Sequence, residues 1–352
     1  MGPPNKEGFI MAFNNPTTFK GVTSLQKDSL SNNLLLGVQD FLSWGFLQIG
    51  AFQNISRDPP VSGHIDNDLF YRYRLRKSDD PNYEIGQVWE GFRNDWVWES
   101  GFSYEGTEPI TVSGVWVNDS FYGSGDATYS HYVDYPNGRI VFDYPLISEN
   151  VVEANFSHRT VGISLADEQY VQELMFNSYE MEDLDSYLIS SSGTRNRLGE
   201  RRLQMPIVAL ELAQCRGRTG WQLGGGQIEE NDLLFHIFAE NQFDKNNIRD
   251  VILNQSEKVL YLMDRGMMQE KAGYPFQLNG LGYPNDNVKM YPDMVAPTGT
   301  WHTGDGGFRW KQARLDNVVS SDMPPVNGWL HRCTIRGTFS VILGVGTNVG
   351  NV

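Results

Sequence analysis

Cysteine is scarce in this sequence, in which only Cys215 and Cys333 occur among 352 residues. Two cysteines do not make a disulfide framework, which fits a reducing compartment or assembly inside a cell. Both lie in strand-like segments and are expected to be inert core thiols. A signal peptide is not expected either, because the first residues, MGPPNKEGF, lack its charged and apolar regions.

Positive charge is scarce as well, since 28 Lys and Arg residues face 43 Asp and Glu residues and give a net charge of −15. A protein that grips DNA by its phosphates needs a basic stripe, and an acidic chain repels nucleic acid. The same balance allows a passage through which DNA slides without being held. The dense basic cluster of the chain comprises Arg195, Arg197, Arg201 and Arg202. It is either a solvated loop or a contact with an acidic neighbouring subunit or with DNA in a lumen.

Sequence signatures of metal binding and catalysis are absent. The six histidines are scattered without i,i+4 spacing, and no HExxH or GxSxG motif occurs. Acids in EMEDLD (180–185) and IEEND (228–232) would act on a glycoside only at a suitable separation, which a sequence does not show. Acidic faces are the favoured interpretation of both segments. We therefore predict that the chain is not an enzyme and that it binds no cofactor and no metal.

No uninterrupted apolar run suits a membrane span. Residues 34–52 approach the required length of about 20 residues, but Asp40 lies near the middle, where a charge is costly. Apolar residues such as Leu34 and Val38 recur instead at helical spacing. The segment predicts a mostly buried amphipathic helix over about 24–52, and no membrane partner is expected.

Glycine and aromatic residues are abundant: there are 36 glycines, and aromatic residues make up 12% of the chain. This composition favours strands, turns and large contact surfaces. One run of three glycines looks like a phosphate-binding loop, but a strand-like run at 233–239 follows it instead of a helix. The run is therefore predicted to form the tip of a β-hairpin, with three acids at or near it. The residues are Gly224, Gly225 and Gly226 in the run, and Glu229, Glu230 and Asp232 after it.

Residues 61–163 are predicted to form an all-β module, because polar and apolar residues alternate with period two. Its clearest element is HYVDYPNGRIVFDY, in which Asn137–Gly138 is the preferred pair for a two-residue type I′ turn. The last strand of the module is expected over 151–163, with alternate residues from Val152 to Phe156 pointing inward.

Residues 164–352 mix helical and strand patterns. A helix is expected over 164–188, a strand from Met205, and a second helix that Asp244 caps. The apolar face of the second helix is expected to comprise Ile248, Val251, Ile252 and Val259.

The end of the chain is expected to be a long loop followed by a strand. Residues 273–328 are rich in Gly, Pro, Asn and Tyr, and such loops are usually functional or bound to a partner. In the closing strand, Cys333, Ile335 and Phe339 alternate.

The chain thus divides into an N-terminal arm and helix (1–60), the all-β module (61–163) and a second domain (164–352). The predicted fold class is α+β: an antiparallel β-module followed by an α+β sandwich, in which helices cover one face of an antiparallel sheet.

Two parts of this pattern resemble neck proteins of tailed bacteriophages. The first comprises MPIVALEL, the Gly-tipped hairpin to DLLFHIFAEN, the helix DKNNIRDVILNQSEKVL and the strand near IRGTFSVI. It resembles phage tail terminators, small α+β proteins that form a hexameric ring capping the tail tube and joining it to the head. The second comprises DWVWESG, GVWVNDSFYGSG and HYVDYPNGRIVFD. It resembles a β-module common in phage virion proteins.

The resemblance implies a virion structural protein of the neck, assembled in the host cytoplasm. Its partners would be its own copies in a homohexameric ring, and the tail tube and sheath or head-completion and connector proteins. DNA would pass through the ring without sequence-specific binding. The arginine cluster, the glycine run and the three acids near it are the predicted interface residues.

One alternative is a baseplate or adhesion module that binds carbohydrate. The run VWEGFRNDWVW would then stack on sugars, which requires Trp96 and Trp98 to be exposed. The simpler interpretation is that these tryptophans are core or interface anchors.

Overall fold

The chain is described by a computed structural model, which covers residues 30–57, 72–78, 80–99, 101–147, 149–175, 205–220, 227–263, 291, 309–324 and 330–343. Of these residues, 45% lie in strands and 18% in helices. The elements in chain order are α1 (Leu30–Gln48), β1 (Phe52–Ile55), β2 (Arg76–Lys77), β3 (Val88–Glu90), β4 (Gly114–Val117), β5 (Ser120–Gly123), β6 (His131–Asp134), β7 (Arg139–Phe142), β8 (Val152–Ala154), β9 (Phe156–Arg159), β10 (Gly162–Leu165), α2 (Gln169–Met175), β11 (Ile207–Gly220), β12 (Gln227–Ala239), α3 (Gln242–Leu253), β13 (Val259–Met263), β14 (Arg309–Asp322) and β15 (His331–Leu343).

The predicted α+β sandwich is wrong, because the chain is mostly β and its largest sheet is a curled half-barrel. This sheet has six strands in the order β10-β11-β12-β15-β14-β13. The pair β10–β11 is parallel and the other pairs are antiparallel, so the sheet is mixed. Four of its strands are 13 or 14 residues long, so strands contribute more residues to this part of the chain than the helices packed against them.

One face of the six-stranded sheet carries the main core. Alternate side chains of β12 and β15 point to this face, and α1 and α3 cover it, as the period of each element dictates. The opposite face meets α2 in a smaller cluster that includes Val171, Leu174 and Phe238. The main core comprises Leu30, Leu34, Val38, Leu42 and Phe46 of α1, Ile248 and Ile252 of α3, and Val208, Leu210, Leu233, Phe235, Ile237, Leu260, Leu262, Ala313, Leu315, Cys333, Ile335, Phe339 and Val341 of the strands.

Strand β14 occupies part of the predicted long loop. It lies between β13 and β15, with Ala313 and Leu315 buried in the core. A register shift between Asp316 and Val319, with positive φ at Asn317, interrupts its alternation. This β-bulge explains why the sequence pattern did not indicate a strand.

The predicted N-terminal helix is present as α1, but it ends at Gln48 rather than at about residue 52, and residues 24–29 lie outside the described residues. It ends where Gly50 takes a left-handed φ of 86°, while the N–H of Ala51 donates to the carbonyl of Phe46. Glycine adopts this φ without steric cost, so the N–H groups at the end of the helix can donate to its last carbonyls. Among the described helices, none is long and apolar enough to cross a membrane.

The second predicted helix is present as α3, but two details differ. Asn241 is the N-cap, since its side chain accepts the N–H of Asp244, which lies in the first turn. Val259 belongs to β13 and is half-exposed, so it does not continue the helical face. The helix predicted over 164–188 begins later, at Gln169, because β10 extends to Leu165; residues 176–188 lie outside the described residues.

The β-module packs two small sheets, β2-β3-β7-β6 and β5-β4-β8, around a shared core. The predicted hairpin at Asn137–Gly138 is present, but the turn type is wrong. Asp134 and Arg139 form the last pair, so the loop has four residues, and of the predicted pair only Gly138 has positive φ. The Asp134 carboxylate explains the wider loop, because it accepts hydrogen bonds from the side chains of Arg139 and Asn137 across the loop.

The segment predicted as one strand over 151–163 is divided among three sheets. β8 pairs with β4, β9 pairs with β1, and β10 pairs with β11. Val152, Ala154 and Phe156 are buried as predicted. The segment therefore ties the module to the six-stranded sheet, while the predicted domain boundaries stay predictions.

Replacing Gly138 with alanine is expected to destabilise the module by about 1–3 kcal/mol. An added Cβ would lie 2.4 Å from the carbonyl oxygen of Arg93 and 2.6 Å from the Cα of Asn94, and φ is already left-handed. Gly123→Ala is the matched control, since a Cβ there meets nothing within 4 Å. Urea unfolding of both variants measures the difference, and equal midpoints would contradict the prediction.

Candidate functional site

The predicted interface residues are only partly within the described residues. The arginine cluster (Arg195, Arg197, Arg201 and Arg202) and the glycine run (Gly224, Gly225 and Gly226) lie outside them. Glu229, Glu230 and Asp232 lie on β12, just after the segment that joins it to β11. They are therefore strand residues near the end of a long hairpin.

Asp232 is fully buried inside the sheet. Its Cα partner on β15 is Thr338, whose hydroxyl donates to the Asp232 carboxylate at 2.7 Å. The guanidinium of Arg336 forms an ion pair with the other carboxylate oxygen. A buried carboxylate needs such partners, so this acid holds β12 to β15.

Glu229 is also buried, because it shares the core-facing side of β12 with Leu233 and Phe235. The side-chain amide of Asn231 donates to it at 3.3 Å. Glu230 points to the other face and is half-buried. Of the three acids, only Glu230 is accessible in the single chain, and the interface role of all three stays a prediction.

A chain of three polar groups crosses β11, β12 and β15. The Nε2 of His236 lies 2.8 Å from Glu211, and its Nδ1 lies 3.1 Å from the hydroxyl of Thr334. The order hydroxyl–imidazole–carboxylate is that of a nucleophilic triad. His236 pairs with Thr334 in the middle of the β12–β15 ladder, which engages the adjacent backbone N–H groups. The three side chains form a cross-strand hydrogen-bond network.

A buried ionic cluster centres on Arg159 of β9. Its guanidinium is 5% exposed, donates to Asp95 at 3.2 Å and forms an ion pair with Glu99. It also reaches the carbonyl of Ser43 on α1 at 3.4 Å. Burial disfavours the charged form of the Arg159 guanidinium, but the carboxylates of Glu99 and Asp95 favour it more strongly and raise its pKa. The cluster joins α1, β9 and the 92–99 segment, and sequence reasoning missed it.

A second contact joins the module to the six-stranded half of the chain. Arg93 donates to the carbonyl of Met205, just before β11, at 3.2 Å. The carbonyl of Arg93 in turn accepts from the indole of Trp96. The same residue thus supports the module core and the junction.

The tryptophans of the aromatic run serve mainly as core. Trp96 is 1% exposed and stacks on Phe156 with ring centroids 4.2 Å apart, and Trp89 is also buried. Trp98 is half-buried. Trp96 does not offer the exposed face that sugar stacking requires.

Metal and thiol chemistry find no support within the described part of the chain. There, no group of three His, Cys, Asp or Glu side chains could hold a metal ion. Cys333 is buried, as predicted, and burial raises its pKa to about 11, which disfavours the reactive thiolate.

Lowering the pH from 7 to 5 is expected to weaken the fold through His158. Its Nδ1–H donates to the carbonyl of Arg159 at 3.0 Å, and burial lowers its pKa to about 3. An unfolded histidine titrates near 6.5, so below that pH the unfolded state binds a proton that the folded state excludes. The contribution lost is about 1.4 kcal/mol per pH unit, down to about pH 3.

The variant His158→Asn tests this prediction, because it keeps an amide donor but does not titrate. Urea unfolding between pH 7 and 4 should show a shallower loss for the variant than for the wild type. Parallel plots of unfolding free energy against pH for the variant and the wild type would contradict the assignment of this effect to His158.

Large exposed apolar side chains occur in both halves of the chain. On the module they are Ile85, Tyr144 and Ile147, which are 79%, 79% and 67% exposed. On the six-stranded half, Phe243 is 81% and Val319 is 64% exposed. Large exposed apolar side chains mark candidate interaction sites where they form a contiguous patch.

Comparisons with known proteins do not assign a family. No protein-family model matches this sequence, and no curated protein matches it.

Proposed function

We propose that this chain is a non-enzymatic structural protein of a tailed-phage neck. Copies of the chain form a ring, in our proposal a hexamer, that ends the tail tube and joins it to the head. The ring contacts the tail tube and sheath or the head-completion and connector proteins. The terminator-like α+β fold is not part of this proposal.

The observation that carries the proposal is the presence of unlike exposed apolar surfaces on the two halves of one chain. A cyclic ring is built from heterologous contacts, in which one surface meets a different surface of the next copy. A joint between head and tail needs further surfaces for its neighbours. Phe243 on α3 and Val319 on β14 are separate candidate contacts with neighbouring copies in the ring.

The linkage between the two halves supports a mechanical role. Arg159 bonds to α1, and Arg93 bonds to the segment before β11. Strands β8, β9 and β10 follow one another through three sheets. These contacts join the two halves of the chain, as a part that carries load between head and tail requires.

The charge of the chain supports passage of DNA. At a net charge of −15, a ring of copies is strongly acidic. Acidic or neutral walls do not hold phosphates, whereas a basic lumen would trap DNA through many contacts and counterion release. The genome would thus slide through the ring.

The adhesion alternative stays a prediction without a supporting observation. The tryptophan face that it requires includes Trp96, which is buried.

Native mass spectrometry of the purified full-length chain tests the proposal. We expect a discrete ring, with six copies as the proposed number, and loss of the ring in the variant Phe243→Ser/Val319→Ser. Phe121→Ser is the control, since Phe121 is 50% exposed on the module. A chain that stays monomeric at its highest soluble concentration would count against the ring.

A further inference from the structure

We propose that one end of the β-module docks on a partner protein whose surface has an apolar centre and a basic rim. This end, the module tip, is formed by two adjoining loops, residues 84–87 and 143–147. The inference does not depend on ring formation, because it concerns a surface of the single chain.

The two loops of the module tip are held together by backbone contacts. The N–H of Leu146 donates to the carbonyl of Gly86 at 3.0 Å, and the N–H of Phe142 donates to the carbonyl of Gln87 at 2.9 Å. Gly86 has a left-handed φ of 92°, and a Cβ on it would lie 2.3 Å from the Leu146 carbonyl oxygen. Only glycine allows this approach, so the tip is preorganised.

Three large apolar side chains stand on this rigid base. Ile85 directly precedes Gly86, and Tyr144 and Ile147 flank Leu146, so all three lie within two residues of one hydrogen-bonded pair. Ile85 and Tyr144 are each 79% exposed, and Ile147 is 67% exposed. Tyrosine is a frequent anchor of protein interfaces, since it buries a large rigid area at small entropic cost.

The charged side chains in the two loops and next to them in the sequence are all acidic. Glu84, Asp143 and Glu149 are exposed beside the apolar side chains. Residues 78–87 and 142–150 contain no Lys or Arg. The nearby Arg139 is engaged by Asp80 and Asp134. A complementary partner therefore presents basic side chains around an apolar centre.

Charge also distinguishes the partner from a second copy of this chain. Two tips facing each other would oppose acid to acid, and each copy carries a net charge of −15. Like charges across an interface disfavour association. The module tip thus suits a different, basic protein.

Two synthetic helical peptides test the inference with the full-length chain. Both carry the same Leu/Phe face, flanked by four lysines in one and by four glutamates in the other. Fluorescence anisotropy should show tighter binding of the lysine peptide, and Tyr144→Ser should weaken it roughly 30-fold, as for an interface anchor. Glu84→Lys/Asp143→Lys should reverse the preference. A higher salt concentration should weaken the binding of the lysine peptide.

Controls separate the tip from general attraction to an acidic protein. Ile85→Ser/Ile147→Ser keeps the charge and should lose binding, whereas Phe121→Ser should bind as the wild type does. Thermal unfolding verifies that each variant is folded. Equal binding of both peptides, or wild-type binding by the tip variants, would overturn the inference. So would self-association of the wild type that the tip variants abolish, since the occupant would then be a second copy.

The result of the peptide experiment can be distinguished from the result of the test for ring formation. Native mass spectrometry of Tyr144→Ser should show the wild-type oligomer, because the proposed ring contacts lie on the other half of the chain. The peptide titration can be read in either oligomeric state.

Discussion

Replacing Arg159 with methionine is expected to lower the free energy of unfolding by about 3–5 kcal/mol. The guanidinium is 5% exposed and is bound by Glu99, whose side chain is 6% exposed. Removing only the cation leaves a carboxylate buried without its counterion, and this cost exceeds that of losing the pair as a whole. The tie to Ser43 of α1 is lost as well.

Urea unfolding measures this effect, and a double-mutant cycle with Glu99→Gln identifies its source. The double variant should be more stable than Arg159→Met alone, because no charged carboxylate remains at position 99. Arg314→Met is the matched control: Arg314 is 53% exposed and pairs with Asp316, so its loss should cost at most about 1 kcal/mol. Equal losses for the two arginines would contradict the structural role of the cluster.

Replacing Asp232 with lysine is expected to cost at least about 4 kcal/mol and to leave little folded protein. The carboxylate is fully buried and is bound by Thr338 and Arg336. A lysine there would place an ammonium beside the guanidinium of Arg336, in the middle of the β12–β15 ladder. The variant should therefore disrupt the six-stranded sheet itself.

Glu230→Lys is the control, since Glu230 is half-buried on the same strand. It should fold, with a change in unfolding free energy within about 1 kcal/mol. Asp232→Asn should fall between the two, because it keeps the shape and one acceptor. Circular dichroism and urea unfolding distinguish the three variants, and wild-type stability of Asp232→Lys would contradict the burial of this acid.

Elements with a strong local pattern could be predicted from the sequence. The helical spacing of Leu34 and Val38 indicates α1, and the alternation of Cys333, Ile335 and Phe339 indicates β15. The fold class could not be predicted in the same way. The bulge in β14 hides a strand, and the division of 151–163 among three sheets depends on pairings made elsewhere in the chain.

The polar networks depend on register, which composition and spacing do not specify. Asp232 meets Thr338, and His236 meets Thr334, only because β12 and β15 pair in one alignment. A shift by one residue would move every side chain to the other face. Arg159 likewise joins groups about 60 residues away in the chain, and no local signal marks it.

Electron microscopy of assembled particles, with the chain labelled by a bound antibody fragment, tests whether the chain forms the joint between head and tail. We expect a ring of labels at the junction of head and tail, and particles without this chain should separate into heads and tails. Labels on the baseplate or on fibres, or normal joining of heads and tails in the absence of the chain, would contradict it.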